Sequence, residues 1–456
     1  MTTRVSFSVL IGLCAAAIVR GETPLTLESA TALALAHSRA SLIADARRDE
    51  ADASRREAES RRYPSLLGFG YYGHDFRRLD YSVSQGSLDR IVDEVAVGAG
   101  FDPLSPTYGP FPAETVTLIR GNRNRYVVGL TLMQPLTQQF RIHSGIVAAR
   151  ADERHAQIEH AQTRARLRYA VEQLFAGLAA ENAFREAAAV KVRAREARLR
   201  DAENARLAGE VLDAVVLGAQ AELTEARTAL VRIEQKIVEY RLQLADLLGR
   251  PAAELPPLAL DSLPTRAERP LEDWLAAASL HYDARLAETV VEKARAGVSA
   301  SKQKRIPDLA LFVSGSRQEG VPLIPRDYTS AGLLLNWEIF DFGGKKADLA
   351  RSLAQERQAA LNRDRLREDA TREVHLAFLQ FTHARELVGL SAEAEAFRQR
   401  AHAIRRQASE QGELLASEAL TAESDWLQAR AEHTAARLQR HLALLKLYFL
   451  TGALEE

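Results

Sequence analysis

The chain has 456 residues with 60 basic and 61 acidic side chains, a formal charge of -1, and these charges are interspersed, so no basic stripe points to nucleic acid. Its one cysteine, Cys14, rules out an intrachain disulfide framework. The length would suit two or three ordinary domains, yet all fifteen prolines lie at or before Pro325 and none lies between Pro135 and Pro251. The two long stretches without proline are rich in Ala, Leu, Arg, Glu and Gln, which predicts long helices.

In chain order, Arg4 is followed by an apolar run from Val5 to Val19 that contains Ala15, Ala16 and Ala17. This is the pattern of a secretory signal peptide over 1–21, cleaved after Ala17 or Gly21, and the run is short for a membrane-spanning helix. Leu13 is too large for lipoprotein processing at Cys14. A helix is expected over 26–62, then strands over 63–73 and 126–136. Between these strands, the Pro/Gly-rich segment around Asp102–Pro112 reads as a long loop. From about His143 to Leu207 the pattern is helical, about 100 Å at 1.5 Å per residue. A helix over 211–249 follows, with Leu212, Val216, Ala219, Leu223, Ala226 and Leu230 opening a strict alternation of four- and three-residue steps that continues to Leu247. That is the 3.5-residue seam of a left-handed coiled coil. Alanine recurs around much of the long helix, as at Ala176, Ala179, Ala180 and Ala183, which favours a wall of helices over an isolated pair. A plain coiled-coil spacer explains the heptads equally well but leaves the strands unexplained. Residues 250–270 contain five prolines and read as a connector.

The sequence then repeats. A shift of 203 positions superposes Gly209, Glu210, Leu212 and Arg227 on Gly412, Glu413, Leu415 and Arg430, and Val171 and Phe175 on Val374 and Phe378. Upstream the shift becomes 243 or 244, so the first copy carries an insertion of forty residues between Gly73 and Tyr126. The copies run over 22–249 and 271–452, with strands of the second copy expected over 306–316 and 329–340. Gly209 and Gly412 fall where long helix meets short helix and would mark hairpin turns.

All four strand segments alternate with a period of two. Tyr63, Leu67, Phe69 and Tyr71 share one face of the first, Tyr126, Val128, Leu130 and Leu132 one face of the second, and Leu333, Leu335, Trp337 and Ile339 one face of the last. Each is near the roughly 9–11 residues of a tilted membrane strand. Tyr63, Tyr71, Tyr126 and Trp337 lie near strand ends, where interfacial girdles require aromatics. A soluble antiparallel sheet with one wet face fits the alternation as well. If the strands span lipid, four cannot close a barrel, and two, three or four copies would supply the missing strands.

Several segments resemble the TolC-like outer-membrane efflux protein family, and the resemblance covers nearly the whole chain after residue 21. They are Leu25-Thr-Leu-Glu-Ser-Ala30, Tyr63-Pro-Ser-Leu66, Ile306-Pro-Asp-Leu309, Trp337-Glu-Ile-Phe-Asp-Phe-Gly-Gly344, Gly209-Glu-Val-Leu-Asp213 and Gly412-Glu-Leu-Leu415. The first copy departs from it at Pro135-Leu-Thr-Gln-Gln-Phe-Arg141, which lacks the Asp-x-Gly-Gly turn of Asp341–Gly344. The resemblance implies a mostly α fold with membrane β: an α-barrel of long antiparallel helices, with four transmembrane strands per chain closing a twelve-stranded β-barrel in a homotrimer. It places the protein in the outer membrane of a Gram-negative bacterium, most of the chain in the periplasm, working with a periplasmic adaptor and an inner-membrane transporter.

No catalytic constellation, cofactor motif or metal-ligand spacing emerges. His155 and His160 are five apart and His375 and His383 eight apart, neither giving one helix face. Glu210, Asp213, Glu413 and Glu418 lie at the hairpin tips, where symmetry copies could form carboxylate rings; the helix dipole explains acids there equally well. The sequence reads as a passive channel of a tripartite efflux or export system carrying drugs or other small solutes. Protein secretion by a one-step exporter is the alternative within transport, and a periplasmic coiled-coil scaffold is the alternative outside it.

Overall fold

The computed structural model describes residues 24–78, 80–259, 264–320 and 324–455. The expected signal peptide at 1–21 lies outside these residues, as does part of the connector. The chain divides into two compact units. A helical unit comprises the chain through Glu50, Arg154–Glu288 and Leu361 onward; a sheet unit comprises Ala51–Glu153 and Thr289–Ala360.

Several helices run through both units, and α1 (Leu27–His37) and α2 (Arg39–Ser60) replace the single helix expected over 26–62. The break has a local cause. Buried Ser38 adopts an extended ψ of 138°, and its hydroxyl accepts the Ser41 N–H at 3.1 Å, capping α2. The long helix α5 (Gln139–Leu207) and its partner α6 (Asp213–Leu248) follow, then, past the connector, α7 (Leu271–Ala277) and α8 (Tyr282–Gln303). The second long pair is α9 (Gly344–Glu410) and α10 (Ala416–Leu450). On α6 the buried residues Val216, Ala219, Leu223, Ala226 and Leu244 follow the predicted heptad.

Two apolar cores hold the helical unit, and corresponding positions of the two sequence copies lie in them. One joins Ala30 and Ala34 to Val171, Leu178 and Leu244; the other joins Trp274 and Ala278 to Val374, Phe381 and Leu447. The 203-residue shift relates Val171, Leu178 and Leu244 to Val374, Phe381 and Leu447, so both short helices pack alike on their long pairs.

The connector is strapped down by a charge cluster. Glu172, 4% exposed, accepts two hydrogen bonds from Arg266 at 2.5 and 2.8 Å and a third from His441. Arg269 lies over the Trp274 and Tyr448 rings, and the Trp274 indole donates to the Arg269 carbonyl at 3.0 Å. Burial pushes the Glu172 carboxyl up, but the His441 and Arg266 hydrogen bonds outweigh it and hold the group below its ordinary value of 4.5. The cluster's stabilising effect is therefore complete above that value and is lost as pH falls through the depressed one.

In the sheet unit the strands are β1 (Ser65–His74), β4 (Asn124–Pro135), β5 (Asp308–Glu319) and β6 (Asp327–Asn336), antiparallel in the order β1-β4-β5-β6. The last strand was expected over 329–340 but stops at Asn336. Pro307 precedes β5, whose pairing with β6 begins at Asp308↔Asn336, so later residues have no partner strand. Instead the Asp341 carboxylate accepts the Gly343 and Lys345 N–H groups at 3.2 and 2.5 Å and turns the chain into α9. The inserted segment is not a plain loop. It contains β2 (Tyr81–Val83), α3 (Asp89–Gly98), α4 (Ser105–Tyr108) and β3 (Val116–Ile119), with β2 paired to β3. Aspartates do the work that Pro and Gly content concealed: Asp93 accepts the Ser105 N–H and hydroxyl at 2.8 and 2.5 Å, which lowers its pKa, and Asp80 accepts the Gly121 N–H at 2.9 Å.

Arg266→Ala leaves Glu172 buried with one cationic partner fewer, and we expect it to destabilise the helical unit by about 3 kcal/mol at neutral pH. Circular dichroism melts in detergent from pH 7 to pH 3 check this; the variant should also lose less stability than the parent across the acid limb.

Candidate channel wall and hairpin tips

The sheet register sorts side chains onto two unlike faces. Leu130 and Leu132 of β4 lie beside Leu311 and Val313 of β5, and these beside Leu333 and Ala331 of β6. This face is apolar and exposed: Leu130, Leu311, Val313 and Leu333 are each more than 40% accessible. The other face carries Gly129, Thr131, Ser314, Ser316, Ser330 and Gly332, with the Thr131 and Ser314 hydroxyls 2.9 Å apart, among the apolar Met133, Phe312 and Leu334. An apolar exposed face backed by one that mixes hydroxyls and glycines with apolar side chains fits a lipid-facing wall with a wet lumen.

On β1 the register keeps Leu67, Phe69 and Tyr71 on one face, as expected, and sets that face opposite the apolar one. Leu66↔Leu132 and Tyr72↔Tyr126 place Leu66 and Tyr72 on the apolar side. Phe69 lies over Gly129, where a Cβ would stand 2.5 Å from its ring, and Tyr71 shares that opposite side with Phe69. Tyr71 therefore lies on the face opposite Tyr126, and Tyr72, 68% exposed, on the same face as Tyr126. Tyr63 precedes β1 and Trp337 follows β6, both exposed. Sequence alternation could not choose between Tyr71 and Tyr72, because both faces of β1 carry apolar residues.

Both outer edges of this sheet, along β1 and β6, lack a partner strand among the described residues. All four helix connections leave from one end of the strands, and the inserted segment and the β5–β6 connection lie at the other.

In the helical unit the two hairpin turns are built alike. Gly209 (φ +78°) and Gly412 (φ +77°) take left-handed backbone, and the following Glu210 and Glu413 donate their N–H groups to the Ala205 and Ala408 carbonyls at 2.9 Å. Asp213 and Glu418 occupy the first turns of α6 and α10. All four acids are exposed, and among the described residues only Asp213 has a cation nearby, Arg206 at 3.3 Å. No group of three His, Cys, Asp or Glu able to hold a metal occurs among the described residues, and no helix there is long and apolar enough to cross a membrane.

Residues 277–453 match the sequence model of the family described as Outer membrane efflux protein. The chain as a whole shares its fold with solved outer membrane channels. It superposes on the Campylobacter jejuni CmeC outer membrane channel with a TM-score of 0.74 at 14% identity, covering 94% of this chain and 85% of that one. The Neisseria gonorrhoeae MtrE outer membrane channel gives 0.71 at 17% identity over 94% and 89%, and the Vibrio cholerae outer membrane protein VceC 0.69 at 17% over 94% and 95%. No curated protein matches in sequence. The mostly helical fold with a small antiparallel sheet is that of these channels.

Adding a Cβ at Gly412 meets nothing within 4 Å, so the penalty of Gly412→Ala is that of the backbone alone. We expect a loss of about 1 kcal/mol, with Gly412→Asn costing less; thermal unfolding midpoints of the two variants check the order.

Proposed function

We propose that the protein is the outer-membrane channel of a tripartite efflux or export system, a passive conduit from periplasm to exterior for drugs or other small solutes. The observation that supports this best is the four-stranded sheet with an apolar exposed face, an opposite face that mixes hydroxyls with apolar side chains, and two open edges. In hydrocarbon each unpaired backbone group on such an edge is unfavourable by several kcal/mol, so the sheet requires strands from further copies. Three copies give twelve strands, and the protein acts as a homotrimer, with energy supplied by an inner-membrane transporter through a periplasmic adaptor. Residues 1–21 direct export and are removed; 22–249 and 271–452 are two copies of one efflux repeat, joined by 250–270.

Tyr72, Tyr126 and Trp337 anchor the wall at the lipid interfaces. At the tips, Glu210, Glu413 and Glu418 have no paired cation among the described residues, and with Asp213 they ring the entrance and favour cations.

Purified protein in planar bilayers tests this reading. It should conduct with a preference for cations, and the Asp213→Asn, Glu413→Gln double variant should lower the cation-to-anion permeability ratio several-fold. Unchanged selectivity would remove the tips' role; a failure to conduct at all in bilayers would contradict the channel.

A further inference from the structure

Beside the Glu172 strap the helical unit holds a hollow of about 810 Å³, walled by α5, α10 and the connector. Four arginines line it: Arg185 from α5, Arg266 from the connector, and Arg437 and Arg440 one turn apart on α10. Ala179 and Ala183 keep the α5 wall low and leave the space open. Two neutral polar groups of the lining are already engaged, since the Asn182 amide donates to the Leu178 carbonyl at 2.8 Å and the Thr434 hydroxyl to the Arg430 carbonyl at 2.9 Å. The guanidiniums dominate what is left to offer.

Their charges are not balanced. Glu172 takes Arg266, and Glu268 is shared between Arg385 and Arg440. Arg185 and Arg437 are exposed and have no acidic partner among the described residues, and Glu186, the one carboxylate in the lining, pairs with neither of them. The Nε–H of Arg440 is enclosed and meets no acceptor among the described residues, which is unfavourable for a buried donor. An isolated surface arginine is merely solvated, but here two of them share a hollow with the partly buried Arg266 and Arg440. Helix packing does not ask for arginine at these places. The 203-residue shift sets Glu234, Ile237 and Val238 on α6 where α10 carries Arg437, Arg440 and His441.

We infer that this hollow binds a small organic polyanion, its carboxylate or phosphate groups held by Arg185, Arg437 and Arg440 with Arg266 beside them. The planar guanidinium fork matches both kinds of group, and the volume admits a molecule larger than a single phosphate. A bound anion fastens the connector to α5 and α10, as Glu172 does within the chain. The site is formed by one chain and is independent of the self-association proposed above.

Isothermal titration of the full-length protein in non-ionic detergent, at about 0.15 M salt to screen diffuse attraction, tests the site with citrate and, separately, tripolyphosphate. We expect saturable binding, by citrate if the site reads carboxylates and by tripolyphosphate if it reads phosphates. Arg185→Gln combined with Arg437→Gln should weaken it roughly tenfold or more while the thermal midpoint without ligand stays in place, and Arg437→Gln alone should give a smaller loss in the same direction. Arg232→Gln, which removes an exposed arginine of α6 that has no acidic partner among the described residues, should leave the affinity unchanged. No binding of either anion, an affinity untouched by the double substitution, or an equal loss in Arg232→Gln overturns the site.

Discussion

An antiparallel sheet in lipid tolerates no open edge, and β1 and β6 are both open. Much of the rest follows from this constraint. On the proposed reading a single copy cannot satisfy its own backbone in hydrocarbon and the functional unit is an assembly, in which side chains that look misplaced in one chain become intelligible as surfaces for lipid or for another copy. Leu130, Leu311 and Leu333 are exposed where an aqueous protein would bury them, on the face opposite Thr131, Ser314 and Ser330. The sheet's alternation alone fits a wet-faced soluble domain as well; the match of 277–453 to the Outer membrane efflux protein family supports the membrane reading proposed above.

A helix in a paired rod needs one apolar stripe, whereas one in a closed wall needs two. α6 carries an exposed apolar line, with Leu217, Val231 and Val238, besides its buried one. The buried Glu172–Arg266–His441 cluster serves a different end: it fixes the connector against α5 and α10, fastening the two sequence copies to each other within one chain. Such a cluster contributes specificity of docking more than net stability.

Much of the architecture could be read from residues alone, because it is periodic. The α6 heptad from Val216 to Leu244 and the alternation of β4 were legible since each encodes its burial at a fixed step. Gly209 and Gly412 were legible as turns because left-handed backbone favours glycine. What escaped depends on contacts that have no period. The break at Ser38 rests on one hydroxyl, the folded insertion on the carboxylates of Asp80 and Asp93, and the choice of Tyr72 over Tyr71 on the β1–β4 register. The glutamate strap escaped because its members lie 94 and 175 residues apart in sequence, beyond any local pattern.

The central claim is that the sheet is completed only by other copies of the chain. The most direct measurement is the mass of the complex extracted from outer membranes, by light scattering with the detergent contribution subtracted. The account predicts three copies of the chain in the detergent-soluble outer-membrane fraction. A monomer or dimer that leaves the membrane with salt alone would show that the strands do not span lipid, and would contradict it.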